Sequence, residues 1–381
     1  LKRPAARGPA AGEPVPATGL AADVIAWQRR HGRHGLPWQG ADPYRIWLSE
    51  VMLQQTQVAT VIPYFEAFLR AFPTVADLAA APADRVLAAW SGLGYYSRAR
   101  NLHAAARLVV ERHGGAFPPD AAALEALPGI GRSTAAAIAV FAFGRREAIL
   151  DGNVKRVLSR VFRIDGHPAQ PAVARRLWAH AQAELPPDGT PAADLRAYTQ
   201  GLMDLGATLC TRTRPDCGRC PLQARCAAHR AGMESRYPAP RPRRAVPVRE
   251  VDLLLAMQGT AVLMQERPPA GIWGGLWSLP EIDRAAPGPA LAGAGLAPDL
   301  PLQEVARFEH AFTHFRMKAR VWRAEVDAAG PAPAGLAARD GATVRWLALG
   351  DAGAAPLPRP IRTLLETLAT PIESTQEPTG G

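Results

Sequence analysis

Long apolar runs are missing from this 381-residue sequence. No stretch could cross a bilayer as a helix, and no membrane partner is expected. Acidic side chains are in deficit, 34 Asp and Glu against 44 Lys and Arg, which leaves a net charge of +10. That balance favours a polyanionic partner, although a chain this rich in Ala, Arg and Pro also fits a GC-rich genome. Cysteine is sparse: the four residues are Cys210, Cys217, Cys220 and Cys226, and none lies elsewhere. No internal repeat stands out. Residues 1–19, rich in Ala, Pro, Gly and Arg, lack the apolar core of a secretory signal. They are expected to be a disordered tail, as are residues 371–381.

The chain is organised around Leu127-Pro128-Gly129-Ile130-Gly131, a hairpin that opens onto a helical run from Ser133 to Phe143 ended by Gly144. A tight turn at a helix start leaves backbone N–H groups free for a phosphate and reads no base sequence. Pro-Gly-x-Gly is also common in ordinary turns. Asp151 follows, before Gly152-Asn153 and a second helical run, and would sit beside a backbone held by the hairpin. It is equally a good helix N-cap.

Upstream, one long helix is expected over YRIWLSEVMLQQTQVATVIPYF. Between Arg45 and Glu66 its only charged residue is Glu50, among Trp47, Leu48, Val51, Met52 and Leu53. Burial would raise its pKa and keep it protonated, as a general acid requires. The alternative is a buried Glu bonded to a backbone group or an Arg. Gln54 falls one turn on from Glu50, on nearly the same face, with Gln55 beside it. An amide there could bond a base edge or fill a gap in a duplex, or simply be solvated. Gly92-Leu93-Gly94-Tyr95-Tyr96 is a flexible turn whose aromatic faces could stack on bases or pack on the fold.

The cysteine spacing, C-x6-C-x2-C-x5-C, points to a single metal site. Disulfides and zinc remain alternatives. One CxxC with two wider arms fits a [4Fe–4S] cluster better than the paired short units of zinc sites. Arg212, Arg214, Arg219 and Arg225 surround the cysteines and suit phosphate contact. Residues 232–250 read as a basic, Pro-rich linker. From Val251 the texture turns to strands, with a closing helix at Pro360–Leu368, which makes a second, α+β domain.

The runs WLSEVMLQQTQVATVIPYF, GLGYY, LPGIGRSTA, ILDGNVKRVLSR, MDLGATLC with its cysteine loop, and RPPAGIWGGLWSLPE resemble the adenine DNA glycosylases of the MutY family, within the helix-hairpin-helix (endonuclease III) superfamily. The resemblance covers roughly Leu20 to Leu368. It implies a multidomain fold: an all-α helix-hairpin-helix glycosylase domain over 20–231 with a [4Fe–4S] loop at 210–226, and a Nudix (MutT)-like α+β domain over 251–370. It implies excision of adenine mispaired with 8-oxoguanine or guanine in double-stranded DNA. Glu50 would protonate adenine N7, and Asp151 would stabilise the oxocarbenium-like sugar. Asn153 would hold that region, and Leu127, Gly129, Gly131 and Ser133 would contact the backbone. Gln54, Gln55 and Tyr95 would fill the gap or probe the opposite base, and Phe312, Thr313 and His314 would read 8-oxoguanine. Cys210, Cys217, Cys220 and Cys226 would hold the cluster.

Relatives that also cut the strand carry a Lys where this chain has Ser133, so a monofunctional glycosylase is expected. The acidic helix of working Nudix hydrolases is missing after Glu281, so no nucleotide hydrolysis is expected. A monomer acting in a bacterial cytoplasm, on the nucleoid and with contacts to other repair proteins, completes the expectation. A bifunctional pyrimidine-lesion glycosylase and a non-catalytic DNA-binding module are the competing readings.

Overall fold

A computed structural model of the chain describes residues 19–241, 246–268, 271–312, 314–326, 337–339 and 342–369. Residues 1–18 of the tail expected at 1–19, the expected tail at 371–381, the middle of the linker at 242–245, and Thr313 lie outside these residues. The chain divides into two units.

The first unit holds residues 1–65, 74–76 and 104–242. Its centre is the Arg132–Phe143 helix, RSTAAAIAVFAF, in which Ala135 to Val140 are all buried. Small alanines let neighbouring helices come close on several faces, so this apolar helix is buried rather than amphipathic. It ends where the sequence signals, at Gly144, which takes a left-handed φ of 66°. There the Gly144 and Arg145 N–H groups close back on Val140 and Ala139. Around it, Val24, Trp27, Leu150, Val154, Leu158, Leu177, Leu202 and Leu205 form one core. Asp151 caps the next helix, Gly152–Val161.

The single helix expected from Tyr44 onward is two. Pro43–Met52 ends at Leu53, and Val58–Ala71 starts after a turn in which Gln55 has φ 57°. The reason is local. Gln54-Gln55-Thr56-Gln57 offers four polar residues in succession and nothing to bury, and the Thr56 N–H closes on Leu53 instead. Gln54 therefore does not share a helical face with Glu50. The stretch read as the start of a linker is also partly folded. Tyr237 is buried against Cys226 and Ala228, and its hydroxyl bonds Asp165 at 2.8 Å.

The second unit holds residues 66–73, 77–103 and 243–381. Its described strands are β1 (Val248–Gln258), β2 (Ala261–Glu266), β3 (Trp277–Ser278), β4 (Glu281–Ile282), β5 (Gln303–Ala311), β6 (Arg316–Glu325), β7 (Ala337–Arg339) and β8 (Ala342–Ala348). They form one mixed sheet in the order β5-β6-β1-β2-β8-β7, with β3 beside β2 and β4 beside β1. β1 and β6 run parallel, with Val248 opposite Arg316 through to Met257 opposite Glu325. Leu254, Ala256, Leu263, Leu291 and Ala324 are buried in its core. The helix at Gly288–Gly293 carries no acidic side chain. The helices of 77–103 group with this sheet rather than with the first unit, a partition that the change of texture at Val251 does not announce.

Candidate active site

Glu50 lies near the end of the Pro43–Met52 helix and lines a cavity of about 380 Å³, among Trp38, Ile46, Ser49, Phe141, Arg196 and Gln200. That volume is within the range of small-ligand clefts, roughly 300–1,000 Å³. Glu50 is half-buried at this wall. Burial, with the charge of Asp151 added, pushes the carboxyl up to about 8. Glu50 therefore carries its proton at neutral pH.

Asp151 is the partner. Its Oδ1 accepts from the Val154 N–H at 2.7 Å, so the acid is fixed at a helix N-terminus. Burial raises its pKa too. The Val154 and Asn153 N–H groups and the Arg156 and Lys155 charges pull the other way. Two nearby carboxyls in unlike settings divide acid from base. Glu50 has an apolar setting; Asp151 has donors and cations that favour its anion.

The hairpin stands beside them in sequence and by hydrogen bonding. Gly129 has φ 78°, which favours glycine. Gly129 and Gly131 are exposed, while Leu127 and Ile130 point into the core. Leu127 can therefore offer only backbone to a ligand. Ser133 Oγ accepts the Leu150 N–H at 2.9 Å, which tethers the approach to Asp151. The Gln54 amide donates to Gly129 O at 3.3 Å and reaches Thr134 Oγ1 at 3.5 Å, so it braces the hairpin, whereas Gln55 is exposed.

The four cysteines line one cavity with Val157, Leu209 and Leu222, and none is in a disulfide. Burial raises the Cys217 and Cys220 thiols to about 11, and the neighbouring cysteines add to the rise. Four sulfurs converging in an apolar pocket fit an iron–sulfur group and need a positive core to hold them as thiolates. The helix that Asp151 caps also carries the supports of this loop. Arg160, 2% exposed, donates to Cys210 Sγ at 3.2 Å, Thr211 O at 2.7 Å and Tyr237 O at 2.9 Å. Arg156 donates to Cys210 O, to Gly206 O and to Asn153 Oδ1, each at 2.7 Å. Asn153 is thus tied to the cysteine loop. Arg212, Arg214, Arg219 and Arg225 are exposed.

In the second unit Tyr95 is 48% exposed with φ 50°. Phe312 stacks on Phe315, with ring centroids 4.6 Å apart and planes at 16°, and its N–H closes the β5–β6 turn on Phe315 O. His314 is exposed. Thr313 lies outside the described residues.

Sequence reasoning missed Gln200, Arg196 and Asp204. Gln200 lines the cavity and donates to Asp204 Oδ1 at 2.8 Å. Asp204 is fully buried and holds Arg33 by its backbone N–H at 2.9 Å and Nε at 2.7 Å. Arg196 donates to Phe141 O at 2.9 Å. The available signal was Asp204 itself, an acid in the apolar run GLMDLGATL.

Two family models match the chain: the HhH-GPD superfamily base excision DNA repair proteins over residues 48–182, and the NUDIX domain over residues 253–367. An adenine DNA glycosylase of Buchnera aphidicola subsp. Baizongia pistaciae is 36% identical over 263 residues, covering 68% of this chain and 73% of the relative. That of Rattus norvegicus is 34% identical over 87% of this chain and 74% of its own length. That of Mycolicibacterium smegmatis is 41% identical over 202 residues, 52% of this chain and 66% of the relative. The first model spans both carboxyls and the hairpin, and the first two relatives extend over most of this sequence, so the chain belongs to the adenine DNA glycosylase family.

Proposed function

We propose that this glycosylase hydrolyses the N-glycosidic bond of adenine paired with 8-oxoguanine or guanine and leaves the abasic strand uncut. The observation that carries the reading is Glu50 in the wall of a cavity of about 380 Å³, its carboxyl raised by burial and by the nearby charge of Asp151. The target adenine leaves the stack and enters this cavity. Glu50 gives its proton to adenine N7, and the C1′–N9 electron pair leaves with the base. Asp151, as the anion, stabilises the oxocarbenium-like sugar until water adds at C1′ and loses a proton. Gln55 and Tyr95 fill the gap in the duplex, and exposed hairpin glycines hold the phosphate backbone. The Phe312–His314 turn reads 8-oxoguanine. Ser133, already bonded to Leu150, supplies no amine for strand cleavage. Without acidic ligands on the Gly288–Gly293 helix, the second unit reads a base and hydrolyses no nucleotide.

The same reading assigns a [4Fe–4S] cluster to Cys210, Cys217, Cys220 and Cys226. When bound, the cluster clamps a basic loop for phosphate contact. The protein acts as a monomer where its DNA is, in a bacterial cytoplasm.

The test is single-turnover adenine release from a duplex with one adenine opposite 8-oxoguanine, using wild type and Glu50→Gln, each read with and without alkali. Strand breaks only after alkali, and none from the variant, are the expected result. Breaks without alkali, or a borohydride-trapped adduct, would replace this reading with lyase chemistry. Tight binding without release would leave a binding module.

A further inference from the structure

Three segments far apart in sequence meet within the second unit. The first is the turn that carries Tyr95. A left-handed backbone at an aromatic residue costs about 1–3 kcal/mol and persists only where its surroundings impose it. Arg98, 7% exposed, supplies part of that frame. It donates to Leu93 O at 3.3 Å and Gly94 O at 3.2 Å, and its guanidinium lies over the rings of Trp90 and Tyr95 at 5.3 and 5.4 Å.

The second segment is the loop before β3. Trp273 also has a left-handed φ, 54°, and is 9% exposed. Its ring lies 5.8 Å from His310 and 5.7 Å from Phe312, at the tip of the β5–β6 hairpin. The third segment precedes the closing helix. Ser91 Oγ and Tyr96 OH both donate to Leu357 O, at 2.9 and 3.2 Å, and Arg362 donates to Ser91 Oγ at 2.8 Å.

One side chain joins the first segment to the second. Arg100, two residues beyond Arg98, donates Nη1 to Gly274 O, next to Trp273. Its stem runs 3.9 Å from where a Cβ on Gly275 would stand, and Leu87 is 3.6 Å from the same point. This hydrogen bond is partly buried, and burial lowers the pKa of the guanidinium.

We propose that Arg100 is a positioning residue that fixes the Trp273 loop, and with it the His310–Phe315 hairpin, to the turn presenting Tyr95, so that the group reading the lesion and the group filling the duplex act as one body. The proposal rests on the function given above for Tyr95 and the hairpin. It assigns to Arg100 a specificity role without contact to the DNA. Arg100 lines no part of the Glu50 cavity, so its loss should be felt where the lesion is read and not where the glycosidic bond breaks.

The experiment measures single-turnover adenine release from duplexes with adenine opposite 8-oxoguanine and opposite guanine. Wild type, Arg100→Met and Arg100→Lys are compared. The Met variant keeps the apolar stem and loses the donor. It should slow release opposite 8-oxoguanine about tenfold, the weight of one charge-assisted hydrogen bond, and leave release opposite guanine within about twofold. The Lys variant, which keeps the charge and one donor, should show a smaller loss confined to 8-oxoguanine. Release opposite guanine reports the fold. If Met disrupts it, the Lys variant carries the same test. An equal fall on both duplexes in both variants, or an unchanged ratio, would overturn the proposal. A wild type that does not distinguish the two duplexes would overturn the underlying reading as well, and that shows before any variant is compared.

Discussion

Glu50 carries a proton that the unfolded chain would give up. Its carboxyl sits near 8 in the folded protein against an ordinary value of 4.5. A raised acid favours folding fully below the unfolded value and loses that contribution as pH rises towards the folded one. Wild-type stability should therefore fall between about pH 4.5 and 8 relative to Glu50→Gln, by up to about 1.4 kcal/mol for each pH unit crossed. Thermal midpoints of the two proteins across that range check the sign; parallel curves would contradict it. Adenine release should fall above about pH 8 for the same reason. Ser133 offers a second test. Removing its hydroxyl leaves the Leu150 N–H without its acceptor, at a cost of about 1–3 kcal/mol, and frees the approach to Asp151. Ser133→Ala should be less stable by that amount in urea titration, and its release rate should fall. The burial of Glu50 and the helix cap at Asp151 were legible in the sequence because each stands out locally, one as a lone charge among apolar residues and one before Gly-Asn. Asp204 and Gln200 were not. Their meaning depends on Arg33, which is 171 residues from Asp204.

At the scale of elements, the close approach of two helices sets the site. The Ala192–Asp204 helix continues into a wider turn, Leu205–Leu209, and its Gly206 packs on the start of the Gly152–Val161 helix. A Cβ there would lie 2.4 Å from Asn153 Cβ and 2.9 Å from Asn153 Cα. Backbone cannot yield as a side-chain tip can, so Gly206→Ala must move the helix that Asp151 caps. A loss of about 1–3 kcal/mol follows from such overpacking. Adenine release should slow more than duplex binding, measured by comparing single-turnover rates with binding to an uncleavable analogue. An unaffected rate would mean that the cap tolerates displacement. Turn and cap residues made the Arg132–Phe143 and Gly152–Val161 helices legible. The break at Leu53–Gln57 was not, because helical apolar spacing resumes on both sides and only the four polar residues between mark the turn.

For the whole molecule, the sequence suggests a border near Val251, where helical periodicity gives way to strands. Packing groups Asp77–His103 with the sheet, although the HhH-GPD family model runs through that stretch. Periodicity reports which residues are buried but not what buries them. Leu87, Ser91, Tyr96 and Arg100 gain their partners from residues 274, 275, 357 and 362. Cooperative opening should follow the packing, because residues that share contacts lose protection together. In native-state hydrogen exchange with rising denaturant, amides of Val86–Leu102 should open at the same free energy as those of Leu253–Met264. Amides of Ala135–Leu158 should follow a separate isotherm. If Val86–Leu102 instead opened with Ala135–Leu158, the helices would be shown to draw their stability from the glycosylase half. The coupling of Tyr95 to the lesion-reading hairpin would then lose its physical basis.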